Sequence, residues 1–140
     1  MRRMKTTLLV LLAVTALANG SSSLAPDSRV FELRTYRATP GRLEALHARF
    51  RDHTNALFAK HGITVVGYWV PMDEDKGSAD TLVYMLAYKS RADADARWKA
   101  FQADPEWLRV RAESEKAAGG SLTAKIEAVF MTGTDYSPMQ

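Results

Sequence analysis

Residues 40–69, PGRLEALHARFRDHTNALFAKHGITVVGYW, decide the fold of this chain. Apolar side chains recur at helical spacing along the first two thirds of the stretch, which predicts a helix with one apolar face. We expect Thr39 to cap this helix and Pro40 to occupy its first position, where no N–H donor is needed. Gly62 can adopt the left-handed conformation that ends a helix, and residues 63–70, rich in β-branched and aromatic side chains, then predict a strand.

All three histidines of the chain lie on this helix. At about 100° per residue, His61 falls on the apolar face, while His47 and His53 flank it on opposite sides. Their spacing does not match that of helical zinc ligands, so we expect no metal site. In one interpretation they are half-buried residues at the edge of the core. In the other, one or two of them act as acid, base or hydrogen-bond donor in a ligand cavity under the helix.

The rest of the chain supplies three more strands and a divided helical region. Residues 29–37 alternate in polarity, residues 81–88 are apolar on both faces, and residues 122–131 have the composition of a last strand. Ser90 is the expected cap of one helix, and Asp104, followed by proline, begins another. The order β-α-β-β-α-β predicts an α+β, ferredoxin-like domain, in which a four-stranded antiparallel sheet carries its helices on one face.

The sheet face away from the helices needs a cover, because several strands carry apolar residues on both faces. We therefore predict that two copies pack sheet on sheet, as a homodimer that forms a dimeric α/β barrel. Glu32 and Arg34 share one face of the first strand, where they are expected to pair across strands or across the dimer, or to contact an anion. Within the second strand, Gly67 predicts a bulge or a close approach.

The beginning of the chain has the pattern of a secretory signal peptide: basic residues, a short uncharged apolar run and an Ala-Leu-Ala site that ends at Ala18. The apolar run is shorter than the roughly 20 residues of a membrane span. We predict cleavage after Ala18 and export to the periplasm or out of the cell, by the general or the twin-arginine route. The predicted parts of the chain are a signal peptide (1–18), a disordered Ser-rich linker (19–28), a folded domain (29–132) and a C-terminal tail (133–140).

Cleavage would change the charge balance. The whole chain has 19 Lys and Arg against 16 Asp and Glu, and Arg2, Arg3 and Lys5 would leave with the signal, so that 16 of each remain. A neutral mature chain does not support binding to nucleic acid, and no stable membrane anchor is expected. The chain has no cysteine, which excludes disulfides, thiol nucleophiles and cysteine metal sites. Because it also has no phosphate loop or dinucleotide fingerprint, we expect no cofactor, with haem held by a helix histidine as the minor alternative.

The order and spacing of several short motifs resemble the NIPSNAP family over roughly residues 30–131. These motifs are VFELRTY, a following PG, a helix that ends in KHG, VVGYW, and later DPEW. The resemblance implies a ferredoxin-like domain of the dimeric α+β-barrel superfamily, and hence a dimer. The family's activity is poorly defined, while similar dimers of the superfamily act in haem breakdown or quinone-forming oxygenation. The matching positions are Tyr36, His53, His61, Tyr68, Trp69, Asp104, Pro105 and Trp107.

The third strand departs from the family pattern, which often has a His and then a Trp where this chain has Tyr84 and Leu86. If those positions line a pocket in relatives, its chemistry is altered here. Two functions remain open. The first is a non-enzymatic module that binds a small hydrophobic ligand or a partner protein. The alternative is a cofactor-independent oxygenase or isomerase acting on a small aromatic or carbonyl compound, in a cavity between the first helix and the sheet.

The two functions predict different interiors for the domain. An enzyme should hold histidine and tyrosine together in a closed cavity of several hundred Å³, whereas a module without a site should fill that space with Phe50, Leu57 and Leu86. The candidate catalytic residues are His53, His61 and Tyr84. The candidate residues of a ligand cavity are Tyr36, His47, Tyr68, Trp69 and Leu86.

Overall fold

The computed structural model describes residues 29–139, so the predicted signal peptide and linker lie outside the described residues. The strands are β1 (Val30–Ala38), β2 (Thr64–Trp69), β3 (Thr81–Tyr88) and β4 (Thr123–Thr132). The first helical region consists of α1 (Leu43–Arg49), a π-helical turn (Phe50–Thr54) and α2 (Asn55–Lys60). A 3₁₀ turn (Glu74–Lys76), α3 (Arg91–Ala103) and α4 (Pro105–Ala118) complete the domain.

The four strands form one antiparallel sheet in the order β2-β3-β1-β4. On the central strand β1, Arg34 lies opposite Tyr84 of β3 and Ala128 of β4. This arrangement confirms the predicted α+β, ferredoxin-like fold, with the second helical region divided in two. The sheet-to-sheet dimer stays a prediction. Among the described residues, no helix has both the length and the apolar character needed to cross a membrane.

The prediction for the start of the first helix was wrong. Pro40 and Gly41 form a turn, and α1 begins only after Arg42, which occupies the N-cap position without a side-chain hydrogen bond. The hydroxyl of Thr39 donates instead to the carbonyl of Ser121 at 2.8 Å. A tertiary contact to the segment before β4 therefore uses the oxygen that the sequence pattern assigned to a cap.

The predicted end of this helical region is confirmed. Gly62 has a φ of 68°, its N–H donates to Ala59 at 3.0 Å, and the N–H of Ile63 donates to Phe58 at 2.8 Å. These two bonds form a Schellman motif, which satisfies the last helical carbonyls. The ring of Trp69 lies so close to Gly67 that a Cβ there would be 2.8 Å from it, beside a register shift in the β2–β3 ladder.

The core lies between the sheet and the helices and is mainly aromatic. Phe58 contacts Phe101 with ring centroids 5.0 Å apart, and Phe50 contacts Tyr84 at 5.2 Å. Such edge-on and tilted ring pairs add stability beyond their buried area. The opposite face of the sheet is only partly covered. There, Val129 on β4 is 55% exposed, although its neighbour on β1 is the apolar Leu33.

Candidate functional site

Two polar side chains, at the end of α1 and in the π-helical turn, face the interior of the domain. A π turn bonds residues five apart, so it places Arg49 and Thr54 one above the other. The Thr54 hydroxyl donates to the Arg49 carbonyl at 3.3 Å, which satisfies that carbonyl within the widened turn. Arg49 is 6% exposed and Thr54 is 2% exposed. The end of α1 and the π turn thus place an arginine and a hydroxyl in the interior of the domain.

A cavity of about 220 Å³, which we call the main cavity, lies between this turn, α3, α4 and the sheet. Aromatic rings from every side line it: Tyr36, Phe50, Phe58, Tyr84, Trp98, Phe101 and Trp107. Its polar and charged lining residues are Arg34, Arg49, Thr54, Gln102, Arg111, Glu115 and Thr123. The cavity therefore combines a ring-lined interior with several charged groups, as ligand sites commonly do.

Beside this cavity, Glu32 is almost fully buried on the helix-facing side of β1, at 1% exposure. One carboxylate oxygen accepts a hydrogen bond from Trp98 Nε1 at 2.7 Å and another from the Tyr88 hydroxyl at 2.9 Å. The other oxygen accepts from the guanidinium of Arg34. A buried carboxylate is tolerated only when it is paired and hydrogen-bonded, and these three donors satisfy it. Glu32 consequently fixes Arg34 at the cavity wall.

Arg34 connects this carboxylate to two tyrosines. Its Nη2 donates to the Tyr36 hydroxyl at 3.2 Å, and its guanidinium lies over the Trp98 ring, 4.2 Å from the centroid. The Tyr84 hydroxyl donates to the same Tyr36 oxygen at 2.9 Å. With both bonds accepted, the proton of Tyr36 is free to donate to a molecule in the cavity.

The protonation states of these groups follow from their surroundings. Burial raises the pKa of Tyr84 well above its usual value, and the neighbouring Tyr36 raises it further. Burial lowers the pKa of Arg34, but Tyr84, Tyr36 and Glu32 raise it more, so the net shift is upward. The tyrosine therefore stays protonated and the guanidinium stays charged at neutral pH. Together they offer hydrogen-bond donors and positive charge to the cavity.

Arg49 is buried with far weaker partners. Its Nη1 lies 3.5 Å from the hydroxyl of Ser114 and 3.9 Å from the Glu115 carboxylate. Its guanidinium lies 5.2 Å from the ring centroid of Trp107. In the described part of the chain, its Nε has no hydrogen-bond partner, and neither has the Nε of Arg34. Burial lowers the pKa of Arg49, which Glu115 partly offsets, but a guanidinium keeps its proton in proteins.

The structure places His61 outside the cavity. Its Nε2 lies 2.6 Å from Asp104 Oδ2, and Lys60 Nζ lies 2.7 Å from the same oxygen. Asp104 Oδ1 accepts from the N–H of Glu106 at 2.8 Å, which confirms Asp104 as the cap of α4. Lys60, followed by His61 and the Glu106 N–H, holds the pKa of the Asp104 carboxyl well below its usual range. This contact anchors the end of α2 to the start of α4.

The other candidates separate into three places. His53 is exposed on the helical surface, next to the buried Thr54. Leu86 is fully buried in the core. A second, more open groove of about 330 Å³ brings together His47, Tyr68 and Trp69, the last of which is 51% exposed. Of the eight candidate residues, Tyr36 and Tyr84 are the two that line the main cavity.

The main charged residue that the sequence pattern missed is Arg49. It is the last residue of α1 and lies three residues after the buried Leu46, so helical spacing places it at the edge of the apolar face, but a charged residue there is normally expected to reach solvent. Glu32 and Arg34 were recognised as sharing a face, but they pair along one strand, under the helices, instead of across strands or across a dimer. Within residues 29–139, no group of three or more His, Asp or Glu is arranged to hold a metal ion.

Comparison with known proteins places this geometry in a family. The NIPSNAP family model matches residues 31–138. A search of the curated proteins found no significant match. A NIPSNAP family protein of unknown function from Agrobacterium tumefaciens shares 24% identity, with a TM-score of 0.70 over 83% of this chain and 97% of that one.

More distant structures share the fold. An uncharacterised NIPSNAP-like domain protein from Burkholderia xenovorans has 18% identity and a TM-score of 0.68, over 80% of this chain and 90% of that one. SnoaB, a cofactor-independent oxygenase from Streptomyces nogalater, has 17% identity and a TM-score of 0.51, over 79% of this chain and 98% of that one. Since the family match covers most of the chain, this protein belongs to the NIPSNAP family.

Proposed function

We propose that this protein binds a small molecule in the main cavity, between the first helical region and the sheet. The observation that carries the proposal is the open volume of about 220 Å³ among packed aromatic rings. Protein interiors normally pack as densely as organic crystals, and atoms that line a void lose contacts. Arg34 and Arg49 also direct charge to this region, which favours a ligand site over a packing fault.

The size of the cavity limits the ligand. Its volume is about 220 Å³. It lies below the range of about 300–1,000 Å³ typical of sites for drug-sized molecules. The ligand that suits it is a compact molecule with one ring and few substituents.

Native mass spectrometry of the protein purified from its own host tests this function, with thermal-shift screening of small aromatic compounds. Gln102→Trp places a large ring at an exposed position that lines the cavity, so it should abolish binding without disturbing the core. Lys99→Trp is the matched control, on the same helix at an exposed position that does not line the cavity. If a bound compound is retained equally by Gln102→Trp, the cavity is not its site.

The second candidate is a cofactor-independent enzyme, which the hydrogen-bonded chain of Arg34, Tyr36 and Tyr84 favours. Such donors can stabilise negative charge that develops on an aromatic or carbonyl substrate. SnoaB, which shares the fold, is an oxygenase of this kind. Oxygen uptake with a panel of dihydroxylated aromatic compounds tests the idea, with Tyr36→Phe as the variant. If turnover is unchanged in Tyr36→Phe, the hydrogen bonds among Arg34, Tyr36 and Tyr84 take no part in the mechanism.

We also propose a homodimer that covers the open sheet face. The proposal is supported by adjacent apolar side chains on that face: Leu33, Val83, Met85 and Val129. Burying such a face in an interface would stabilise both copies. Sedimentation velocity should give a dimer for the unmodified protein and a monomer for Met85→Glu. A monomer in both cases would refute the sheet-to-sheet arrangement.

Export is the third part of the proposal, and it rests on the sequence pattern of residues 1–18. The predicted mature protein begins at Asn19 in the periplasm or outside the cell. N-terminal sequencing of protein from that compartment should read Asn19 first. A first residue of Met1 would show that no signal peptide is removed.

A further inference from the structure

We propose that the molecule held in the main cavity is a compact aromatic carboxylate and that Arg49 is its principal partner. This inference rests on the ligand-binding function proposed above and adds the chemical class of the ligand. It is carried by the charge balance of the cavity, by the unsatisfied guanidinium of Arg49 and by the aromatic lining. Each of these observations concerns side chains that line the same cavity.

The charges around the cavity leave one positive charge in excess. Three arginines line it, and one carboxylate, Glu115, lines it with them. Glu32, which lies beside the cavity, forms a hydrogen-bonded ion pair with Arg34. Glu115 Oε1 accepts from Arg111 Nε at 3.2 Å, whereas the same oxygen lies 3.9 Å from Arg49. Glu32 thus pairs with Arg34 and Glu115 with Arg111. Arg49 has no carboxylate within hydrogen-bond distance.

Arg49 is therefore a buried cation whose nearest carboxylate lies beyond hydrogen-bond distance. A buried charge is costly unless it is paired and hydrogen-bonded, and removal of its hydration shell here is nearly complete. Its Nε has no partner among the described residues, and its Nη1 makes only long contacts, at 3.5 Å to Ser114 and 3.9 Å to Glu115. An anion in the cavity would supply the missing acceptor. A carboxylate fits best, because its two oxygens match the planar fork of a guanidinium.

The rest of the cavity lining favours a ligand in which the carboxylate is attached to an aromatic ring. Trp107 lies beside the Arg49 guanidinium, and Phe50, Phe101 and Trp98 line the same space. Aromatic walls favour a flat ring, which they contact edge-on or in offset stacks. The proton of Tyr36 provides a second donor for a carboxylate oxygen or for a ring hydroxyl. The cavity volume allows one ring and a few substituents.

The test compares 4-fluorobenzoate with 4-fluorobenzamide, which have the same ring and nearly the same shape but differ in charge. Fluorine-19 NMR titration measures the affinity of each compound for the whole mature protein. We expect the carboxylate to bind at least about tenfold more tightly, because a charge-assisted hydrogen bond replaces a neutral one. Equal affinity of the two compounds would overturn the anionic ligand but leave the cavity as a site.

Arg49→Met tests the assigned residue. Methionine has a similar length without the charge, so the melting temperature should be equal or higher while the preference for the carboxylate disappears. Arg109→Met is the control, since Arg109 is an exposed arginine of α4 that does not line the cavity and should keep the preference. Carboxylate binding that persists in Arg49→Met would overturn the role of Arg49.

Two further results separate this inference from the proposed function. If neither fluorinated compound binds but native mass spectrometry finds a retained molecule that Gln102→Trp expels, the carboxylate inference fails and the ligand-binding function stands. If nothing is retained and nothing binds, both fail. Should Arg49→Met not fold, the comparison of benzoate and benzamide on the unmodified protein, with Gln102→Trp as the blocked cavity, still decides the class of ligand.

Discussion

The buried carboxylate of Glu32 gives the sharpest test of the interior described above. In Glu32→Gln the shape of the side chain is kept, but one acceptor oxygen becomes an N–H₂ donor. The carboxylate now receives three donors, from Trp98, Tyr88 and Arg34. Whichever way the amide turns, it must point N–H groups at one or more of these donors. Unfolding should therefore become easier, although nothing is removed from the packing.

The expected loss can be estimated from the contacts. Hydrogen bonds to charged groups contribute about 1.5–3 kcal/mol each, and breaking a buried ion pair by removing one partner costs about 3–5 kcal/mol. The single amide oxygen of glutamine can still accept from Trp98, so the loss should fall at the low end of this range. We expect Glu32→Gln to lower the free energy of unfolding by about 3 kcal/mol. With a slope of about 2 kcal/mol per molar urea, the midpoint falls by about 1.5 M.

Urea titration followed by tryptophan fluorescence measures this shift, at one fixed protein concentration because dimerisation would contribute to the apparent stability. Glu127→Gln is the control: this β4 glutamate pairs with Lys125 at 2.9 Å, but both side chains are more than half exposed. It should leave the midpoint unchanged, since exposed ion pairs contribute little. A loss below about 1 kcal/mol for Glu32→Gln would mean that the carboxylate is hydrated and not buried as described.

Two more predictions concern the frame around the cavity. Gly62→Ala and Gly41→Ala each force alanine into the left-handed region, at φ of 68° and 77°, which costs about 1–2 kcal/mol. Gly62→Ala should lose about 1 kcal/mol more in urea titration, because its Cβ would lie 1.9 Å from Arg97 Nη1, and equal losses would contradict that contact. Asp104→Asn should lower the melting temperature at neutral pH. The folded pKa of Asp104 is depressed by Lys60, so its stabilisation is present above about pH 4 and is lost as the pH falls through the folded pKa. Melting curves of both proteins should therefore converge in acid, and a gap that stays constant would refute the ion pairing.

The local signals of the sequence were sufficient for the architecture. Strand alternation, Gly62 as a helix stop, Ser90 and Asp104 as caps, and the bulge at Gly67 all occur as predicted. Each depends on the conformational preference of one residue or on a short period, which the chain carries wherever it is placed. The exception was Thr39, whose hydroxyl found a distant backbone carbonyl instead of the adjacent helix.

Tertiary structure decided which charged side chains lie in and beside the cavity. Tyr36 and Tyr84 were predictable, because strand alternation assigns both to faces that can be buried. Arg49 was not, since a charged residue at the edge of a helix face is normally expected in solvent, and its burial depends on how the whole helical region packs against the sheet. The same holds for Glu32, two of whose three donors come from β3 and α3. Local preference determines which elements form, but burial of a charge depends on partners that only the folded chain brings together.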